Sequence, residues 1–212
     1  MGDWALLFAL IPAFFAVMRK IFRKYVYSAL VTLSCLAIAA CFRARGWAWL
    51  AGGFAFSVLG DYLLAHQRNR PFRFIGGVGG FFLAHACFLG YALRFFQLKW
   101  VSVASFALLG AAYAVYLAKR VLPAIDDRPL AAAVCLYAAI SVCVFSAALS
   151  MCVAPVPRFL FVGGIASIIF SDTLISADRF LGDRRLKSWI LPTYYLCHIL
   201  LTLAYIRIGN GA

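Results

Sequence analysis

Apolar residues come in eight long runs along the chain, and short stretches that hold most of the charged residues separate these runs. A helix that crosses a bilayer needs about 20 such residues, with a range of about 17–25. The pattern therefore predicts eight membrane-spanning helices, of which the first contains Pro12 and is the shortest. The predicted spans are residues 4–18, 25–42, 47–65, 74–94, 100–118, 130–153, 159–177 and 189–206.

Composition agrees with this pattern, since 66% of the 212 residues are hydrophobic and only 13% are charged. Soluble domains lie nearer one half and one quarter, so the chain is neither a soluble enzyme nor a disordered protein. The net charge of +13 does not indicate nucleic-acid binding, because the basic residues lie between apolar runs and not on one polar face. We expect one domain over residues 1–212, an all-α polytopic bundle in a bacterial inner membrane.

The distribution of basic residues predicts the orientation of the chain. Of the 20 Lys and Arg residues, 14 follow spans one, three, five and seven. Loops rich in Lys and Arg face the cytoplasm in most membrane proteins. Both termini are therefore expected on the non-cytoplasmic side. The first span carries no cleavage site of the signal-peptide kind, so we expect it to be retained.

Two segments of the sequence resemble each other. Span three ends in Gly60-Asp61, and span four contains His85; span seven ends in Ser171-Asp172, and span eight contains His198. The Asp-to-His separations are 24 and 26 residues. This spacing suggests an internal duplication of a four-helix unit, as some transporters show.

Four ionisable residues fall inside predicted spans: Asp61, Asp172, His85 and His198. Such groups are costly in a bilayer, by about 2.5–3.5 kcal/mol even on the lenient insertion scale, and they usually mark functional sites. Each aspartate lies about five residues from the predicted cytoplasmic end of its span. We therefore expect the two carboxyl groups at similar depth in the cytoplasmic half of the bundle.

Other polar residues recur at helical spacing and should face the protein interior, because lipid cannot satisfy them. They form stripes on spans six, seven and eight, in which each residue follows the last by about one turn. These are Tyr137 and Ser141, Ser167 and Ser171, and Tyr194, His198, Thr202 and Tyr205. Gly76 and Gly80 form a GxxxG pattern in span four, which predicts a close helix contact.

The motifs taken in order resemble the YhhN family of membrane proteins, which includes the animal transmembrane lysoplasmalogenases. The resemblance covers nearly the whole chain, including the number and rhythm of the spans. It rests on Gly60-Asp61, Phe81-x3-His85, Gly163-Gly164 with Ser171-Asp172, and Pro192-Thr193-Tyr194-Tyr195. The chain departs from the family pattern at Phe88, where Tyr is common, and at His198, where Gln is common.

This resemblance implies hydrolysis of the vinyl ether bond of a lysoplasmalogen, which releases a fatty aldehyde and a glycerophospho-ethanolamine or -choline. Such a bond is activated by a proton on its β-carbon, and the resulting oxocarbenium ion then takes up water. Glycosidases handle the same kind of cation with two carboxyl groups. We expect Asp61 and Asp172 to form the catalytic pair, with the acid unassigned. The residues expected to orient groups or activate water are His85, Ser171, Tyr194, Tyr195 and His198.

The expected partners are a lysophospholipid substrate, the bilayer and a second copy in a homodimer, with no nucleic acid, metal or cofactor. The headgroup phosphate requires positive charge at the membrane boundary. We expect substrate binding by Tyr137 and by the basic residues that follow spans three and seven, namely Arg68, Arg70, Arg73, Arg184 and Arg185.

Two other functions fit parts of the pattern. A ceramidase-like zinc hydrolase would use the three histidines, but no two of them pair at i, i+4, and a zinc site takes three or four ligands. A small transporter or lipid flippase would explain the suspected duplication and the intramembrane aspartates. At 212 residues such a transporter would need to dimerise.

Overall fold

The computed structural model describes residues 7–67 and 71–210, and it confirms an all-helical bundle. Eight α-helices account for most of this part of the chain. Their bounds are α1 Leu10–Phe22, α2 Tyr25–Phe42, α3 Trp47–Ala65, α4 Pro71–Leu93, α5 Trp100–Tyr116, α6 Arg128–Leu149, α7 Pro155–Phe180 and α8 Lys187–Asn210. A π-helical turn and a 3₁₀ turn extend α5 as far as Ala124.

Helices α2 to α8 are long and apolar enough to cross a membrane, when the turns after α5 are counted with it. The prediction for the first span is wrong in its bounds, because α1 continues to Phe22 and not to residue 18. Arg19 and Lys20 lie in its last turn, where positive charge is favourable at a helix C-terminus. With 13 residues, α1 is about 20 Å long, shorter than the hydrocarbon core of about 30 Å.

The helices run alternately up and down, so the loops gather at two ends. At one end Tyr25 packs against His66, with ring centroids 5.4 Å apart. At the same end Phe180 packs against both Phe74 and the turn after α5. The helix ends that flank the four loops with most of the basic residues therefore lie together at this end of the bundle.

Glycines allow the backbones of α3 and α4 to touch. A Cβ atom added to Gly80 would lie 3.1 Å from the Cα atom of Gly60 and 3.2 Å from the carbonyl oxygen of Phe56. The predicted close contact at the GxxxG pattern is confirmed, since Gly76 also meets the side chain of Leu63. The contact places Phe81 on α4 beside the turn of α3 that carries Asp61.

Helices α7 and α8 pack equally closely, where Gly164 meets Leu201 and the carbonyl oxygen of Cys197. The two halves of the chain also correspond in their other contacts. Helix α4 packs against α6 of the second half, and α8 packs against α2 of the first half. A duplicated four-helix unit predicts this reciprocal arrangement.

Large apolar side chains cover the outer surface of the bundle. Leu108, Leu136 and Phe159 are 74%, 61% and 67% exposed. Such a surface is unsuited to water over so large an area and suits the lipid of a bilayer. The polar side chains treated below lie between the helices.

Candidate active site

Asp172 lies at the centre of a group formed by three helices. The hydroxyl of Tyr137 on α6 donates a hydrogen bond of 2.6 Å to Oδ2 of Asp172 on α7. The same oxygen lies 3.8 Å from Nε2 of His85 on α4. His85 is fully buried, whereas 18% of the Asp172 side chain remains exposed. The carboxyl group is thus held from behind and still reachable.

The hydrogen bonds of His85 fix its tautomer. Its Nδ1 lies 2.9 Å from the carbonyl oxygen of Phe81, one turn earlier on α4. Because a carbonyl oxygen only accepts, Nδ1 carries the hydrogen, and it also points towards the Tyr137 hydroxyl at 3.3 Å. In the neutral ring Nε2 therefore has a free lone pair. It has no hydrogen-bond partner among the described residues.

Asp61 is held in a second group, made by α3 and α8. The hydroxyl of Tyr194 donates to Oδ2 of Asp61 at 2.9 Å. His198 lies one turn after Tyr194, with its ring 4.4 Å from the tyrosine ring, and its Nδ1 donates to the carbonyl oxygen of Tyr194 at 2.9 Å. Asp61–Tyr194–His198 therefore has the same histidine tautomer as Asp172–Tyr137–His85.

Phe81 contacts a residue of each aspartate group. Its ring packs edge-on against Tyr194, with centroids 5.9 Å apart, and its carbonyl oxygen accepts from His85. Asp61 and Asp172 each accept a hydrogen bond from a different tyrosine.

Asp172 lies eight residues before the end of α7 and Asp61 four before the end of α3, which is about 12 Å and 6 Å along the helices. Asp172 is therefore deeper in its helix than predicted, because α7 extends to Phe180.

Asp172 faces a cavity of about 100 Å³. The walls from α3 and α4 are apolar, and those from α5, α6 and α7 carry hydroxyl groups beside apolar side chains. The lining residues are Leu64, Phe74, Val78, Phe81, Tyr113, Tyr116, Leu117, Val134, Tyr137, Ala138, Ser141, Asp172, Thr173, Ile175, Ser176 and Phe180. A mainly apolar cavity with a few convergent polar groups is typical of a ligand site.

Two of the predicted site residues form hydrogen bonds outside the two aspartate groups. The Tyr195 hydroxyl donates to Ser28 at 2.8 Å and does not reach either aspartate. Ser171 donates to the carbonyl oxygen of Ile190 at 3.0 Å, just before Pro192 interrupts the hydrogen bonds of α8. Both hydrogen bonds therefore connect neighbouring helices around the site.

Those predicted arginines that the structure describes do not line the cavity. Arg73 donates to the carbonyl oxygen of His66, and Arg184 lies 3.7 Å from Asp178 with 80% of its side chain exposed. The backbone of Arg185 binds Asp183. Arg68 and Arg70 lie outside the described residues. Among the other basic residues, Arg179 stacks over Phe74, which does line the cavity, at 4.7 Å from the ring centroid.

The sequence analysis missed four of the six hydroxyl groups on the cavity wall, although it named those of Tyr137 and Ser141. Tyr113 and Tyr116 on α5 bind Thr173 and Ser176 on α7, at 2.6 Å and 2.8 Å. A signal was present for Ser176, because it follows Asp172 by four residues and so lies on the same face of the helix.

The side chains that could ligate a metal are spread apart in the described part of the chain. No group of three or more His, Cys, Asp or Glu side chains there comes close enough to hold a metal ion. His66 lies in the loop end and contacts Tyr25 and Tyr62, away from the other two histidines.

The fold and the buried groups define a polytopic helical membrane protein with two carboxyl–tyrosine–histidine groups in its interior. The chain belongs to the YhhN family, whose family model matches residues 4–205. This match confirms the resemblance seen in the sequence motifs. No curated protein and no solved structure matches the chain.

Proposed function

We propose that the protein is a membrane-embedded ether hydrolase that cleaves the vinyl ether bond of lysoplasmalogens. The observation that carries this proposal is the carboxyl group of Asp172, held by Tyr137 and facing a mainly apolar cavity. An alkenyl chain suits apolar walls, and a reachable carboxylic acid suits a reaction that starts with a proton on carbon. Membership of the YhhN family agrees with the proposal at a coarser level.

In the proposed reaction the acid form of Asp172 protonates the β-carbon of the vinyl ether, which leaves an oxocarbenium ion at the carbon bonded to oxygen. Water adds to that carbon, and the Asp172 carboxylate takes up the proton that the water loses. The hemiacetal then breaks into a fatty aldehyde and the free hydroxyl of the glycerol moiety. One water is consumed, and the acid is regenerated.

Other members of the site act on the charge that develops. The Tyr137 hydroxyl stabilises the Asp172 carboxylate as its proton leaves, since a hydrogen bond to a charged oxygen is about twice as strong as a neutral one. His85 holds Tyr137 and lies beside Oδ2, so it is a positioning residue. The Asp61 carboxylate supplies a second negative charge, which stabilises the oxocarbenium ion from the far side of Phe81 and Tyr194.

The direct test supplies purified protein with an alkenyl and an acyl lysophospholipid and measures aldehyde and fatty acid. We expect aldehyde from the first and no fatty acid from the second. Asp172→Asn and Asp61→Asn should each lower turnover at least about 10²-fold, because an amide neither delivers a proton to carbon nor carries charge.

Asp178→Asn is the matched control on α7. Asp178 pairs with Lys187 at 2.8 Å and lies at the loop end, where exposed ion pairs contribute little. It should retain wild-type turnover. Full activity in both Asp61→Asn and Asp172→Asn would overturn the carboxyl-group mechanism.

Lipid transport is the second candidate, favoured by the reciprocal contacts between the two halves of the chain. The same protein reconstituted in liposomes separates the two functions. Movement of lysolipid between leaflets without aldehyde would favour transport.

A further inference from the structure

Six hydroxyl groups line the cavity beside Asp172, and the position of their hydrogens decides which ligand groups it accepts. They belong to Tyr113, Tyr116, Tyr137, Ser141, Thr173 and Ser176. A hydroxyl group has one hydrogen to donate and two lone pairs that accept. If each hydrogen already has a protein acceptor, the wall offers only lone pairs to a ligand.

Tyr113 and Thr173 share two hydrogens between them. Their oxygens are 2.6 Å apart, and the carbonyl oxygen of Ile169 lies 2.8 Å from the Thr173 hydroxyl and 3.4 Å from the Tyr113 hydroxyl. Either residue can donate to the other while the acceptor donates to Ile169. In both arrangements the two hydrogens stay within the protein.

Ser176 and Tyr116 behave in the same way. The Ser176 hydroxyl donates to the carbonyl oxygen of Thr173 at 2.9 Å. Its only hydrogen is then used, so the bond of 2.8 Å between Tyr116 and Ser176 takes its hydrogen from Tyr116. The Tyr116 oxygen keeps its lone pairs.

The hydrogens of the last two hydroxyl groups also have acceptors in the protein. Tyr137 donates to Oδ2 of Asp172, and Ser141 donates to the carbonyl oxygen of Tyr137 at 2.8 Å. All six hydroxyl hydrogens thus have acceptors in the protein. The acid proton of Asp172 is then the donor that remains for the reacting carbon.

We propose that this hydroxyl wall is a specificity subsite that binds a hydroxyl group of the ligand as a hydrogen-bond donor. Resting on the proposed function, that group is the free glycerol hydroxyl next to the vinyl ether. An unprotonated phosphate oxygen has no hydrogen to offer such a wall. The headgroup phosphate therefore lies beyond it, towards the basic loops.

The test uses saturated alkyl ether lysophospholipids, which bind but contain no vinyl ether to cleave. Three probes carry a hydroxyl, a methoxy or a hydrogen at the central glycerol carbon, and affinity is measured directly in detergent. We expect the hydroxyl probe to bind about 3- to 10-fold more tightly than either of the others, as for one neutral hydrogen bond.

Ser176→Ala changes one wall position from a hydrogen-bond acceptor into a hydrogen-bond donor. It removes the acceptor of the Tyr116 hydrogen, which becomes free to point at the ligand. The methoxy probe should then gain affinity relative to the hydroxyl probe. Ser167→Ala on the same helix is the control, because Ser167 donates to Gly163 and does not line the cavity, and it should keep the wild-type preference.

Equal binding of the three probes by wild-type protein would overturn the inference, as would an unchanged preference in folded Ser176→Ala. The proposed function fails separately. If the hydroxyl preference is found but alkenyl lysolipid gives no aldehyde, the subsite stands and the hydrolase proposal falls. If aldehyde forms and the probes bind equally, the hydrolase proposal stands and the subsite falls.

Discussion

Tyr137→Phe removes a single oxygen atom and tests whether the carboxyl group of Asp172 develops charge during turnover. The hydroxyl donates at 2.6 Å to Oδ2 of Asp172 and faces Nδ1 of His85 at 3.3 Å. A hydrogen bond to a charged group is worth about 1.5–3 kcal/mol. If the carboxylate forms as the proton moves to carbon, this bond is strongest in the transition state.

The expected loss in kcat follows from that range. Each 1.4 kcal/mol or so of transition-state stabilisation corresponds to about tenfold in rate, so Tyr137→Phe should lower kcat by about 10- to 150-fold. KM should change less than kcat, because five other hydroxyl groups of the wall remain to accept a hydrogen bond from the ligand. The assay is the initial rate of aldehyde release at saturating alkenyl lysolipid, with Tm measured on the same preparations.

Tyr91→Phe is the matched control. Tyr91 is fully buried, and its hydroxyl has no hydrogen-bond partner among the described residues, so its loss leaves no acceptor unpaired. This variant should keep wild-type kcat and Tm. Wild-type kcat in a folded Tyr137→Phe protein would refute the argument that charge develops on Asp172.

Further predictions concern packing, the second histidine, metal and topology. Gly80→Val should lower Tm or prevent folding, because its side chain meets the backbone of Gly60, while Gly79→Ala should be tolerated, since nothing lies within 4 Å of its added Cβ. His198→Gln should keep substantial aldehyde release, because an amide can still donate to the Tyr194 carbonyl as Nδ1 does. Chelators and added zinc should leave activity unchanged, and stoichiometric zinc lost together with activity would contradict this. A reporter fused to the C-terminus should be active on the non-cytoplasmic side; activity in the cytoplasm would reverse the predicted orientation.

The helices and several of their contacts could be predicted from the sequence. Long apolar runs separated by charge specify spanning helices with little ambiguity, and the GxxxG pattern at Gly76 and Gly80 indicates where α3 and α4 approach. The predicted bounds of the first helix are wrong, because apolar periodicity does not include the basic last turn with Arg19 and Lys20.

The partners of the aspartates could not be predicted in the same way. Helical spacing places Tyr137 and Ser141 on one face of α6, but the rotation of α6 against α7 decides whether that face meets Asp172. For the same reason the sequence does not distinguish Tyr194 from Tyr195, although Tyr194 alone of the two bonds to Asp61. Interhelical distances depend on packing around small residues, which a single sequence does not encode in its periodicity.

The most direct measurement of the central claim is hydrolysis of an alkenyl lysolipid in D₂O, with the aldehyde reduced to the alcohol as it forms. Protonation of the vinyl ether carbon predicts one deuterium at the carbon next to the aldehyde, slower turnover than in H₂O, and greatly reduced product in Asp172→Asn. Aldehyde without deuterium at that carbon, or labelled product formed at the wild-type rate by folded Asp172→Asn, would contradict the account.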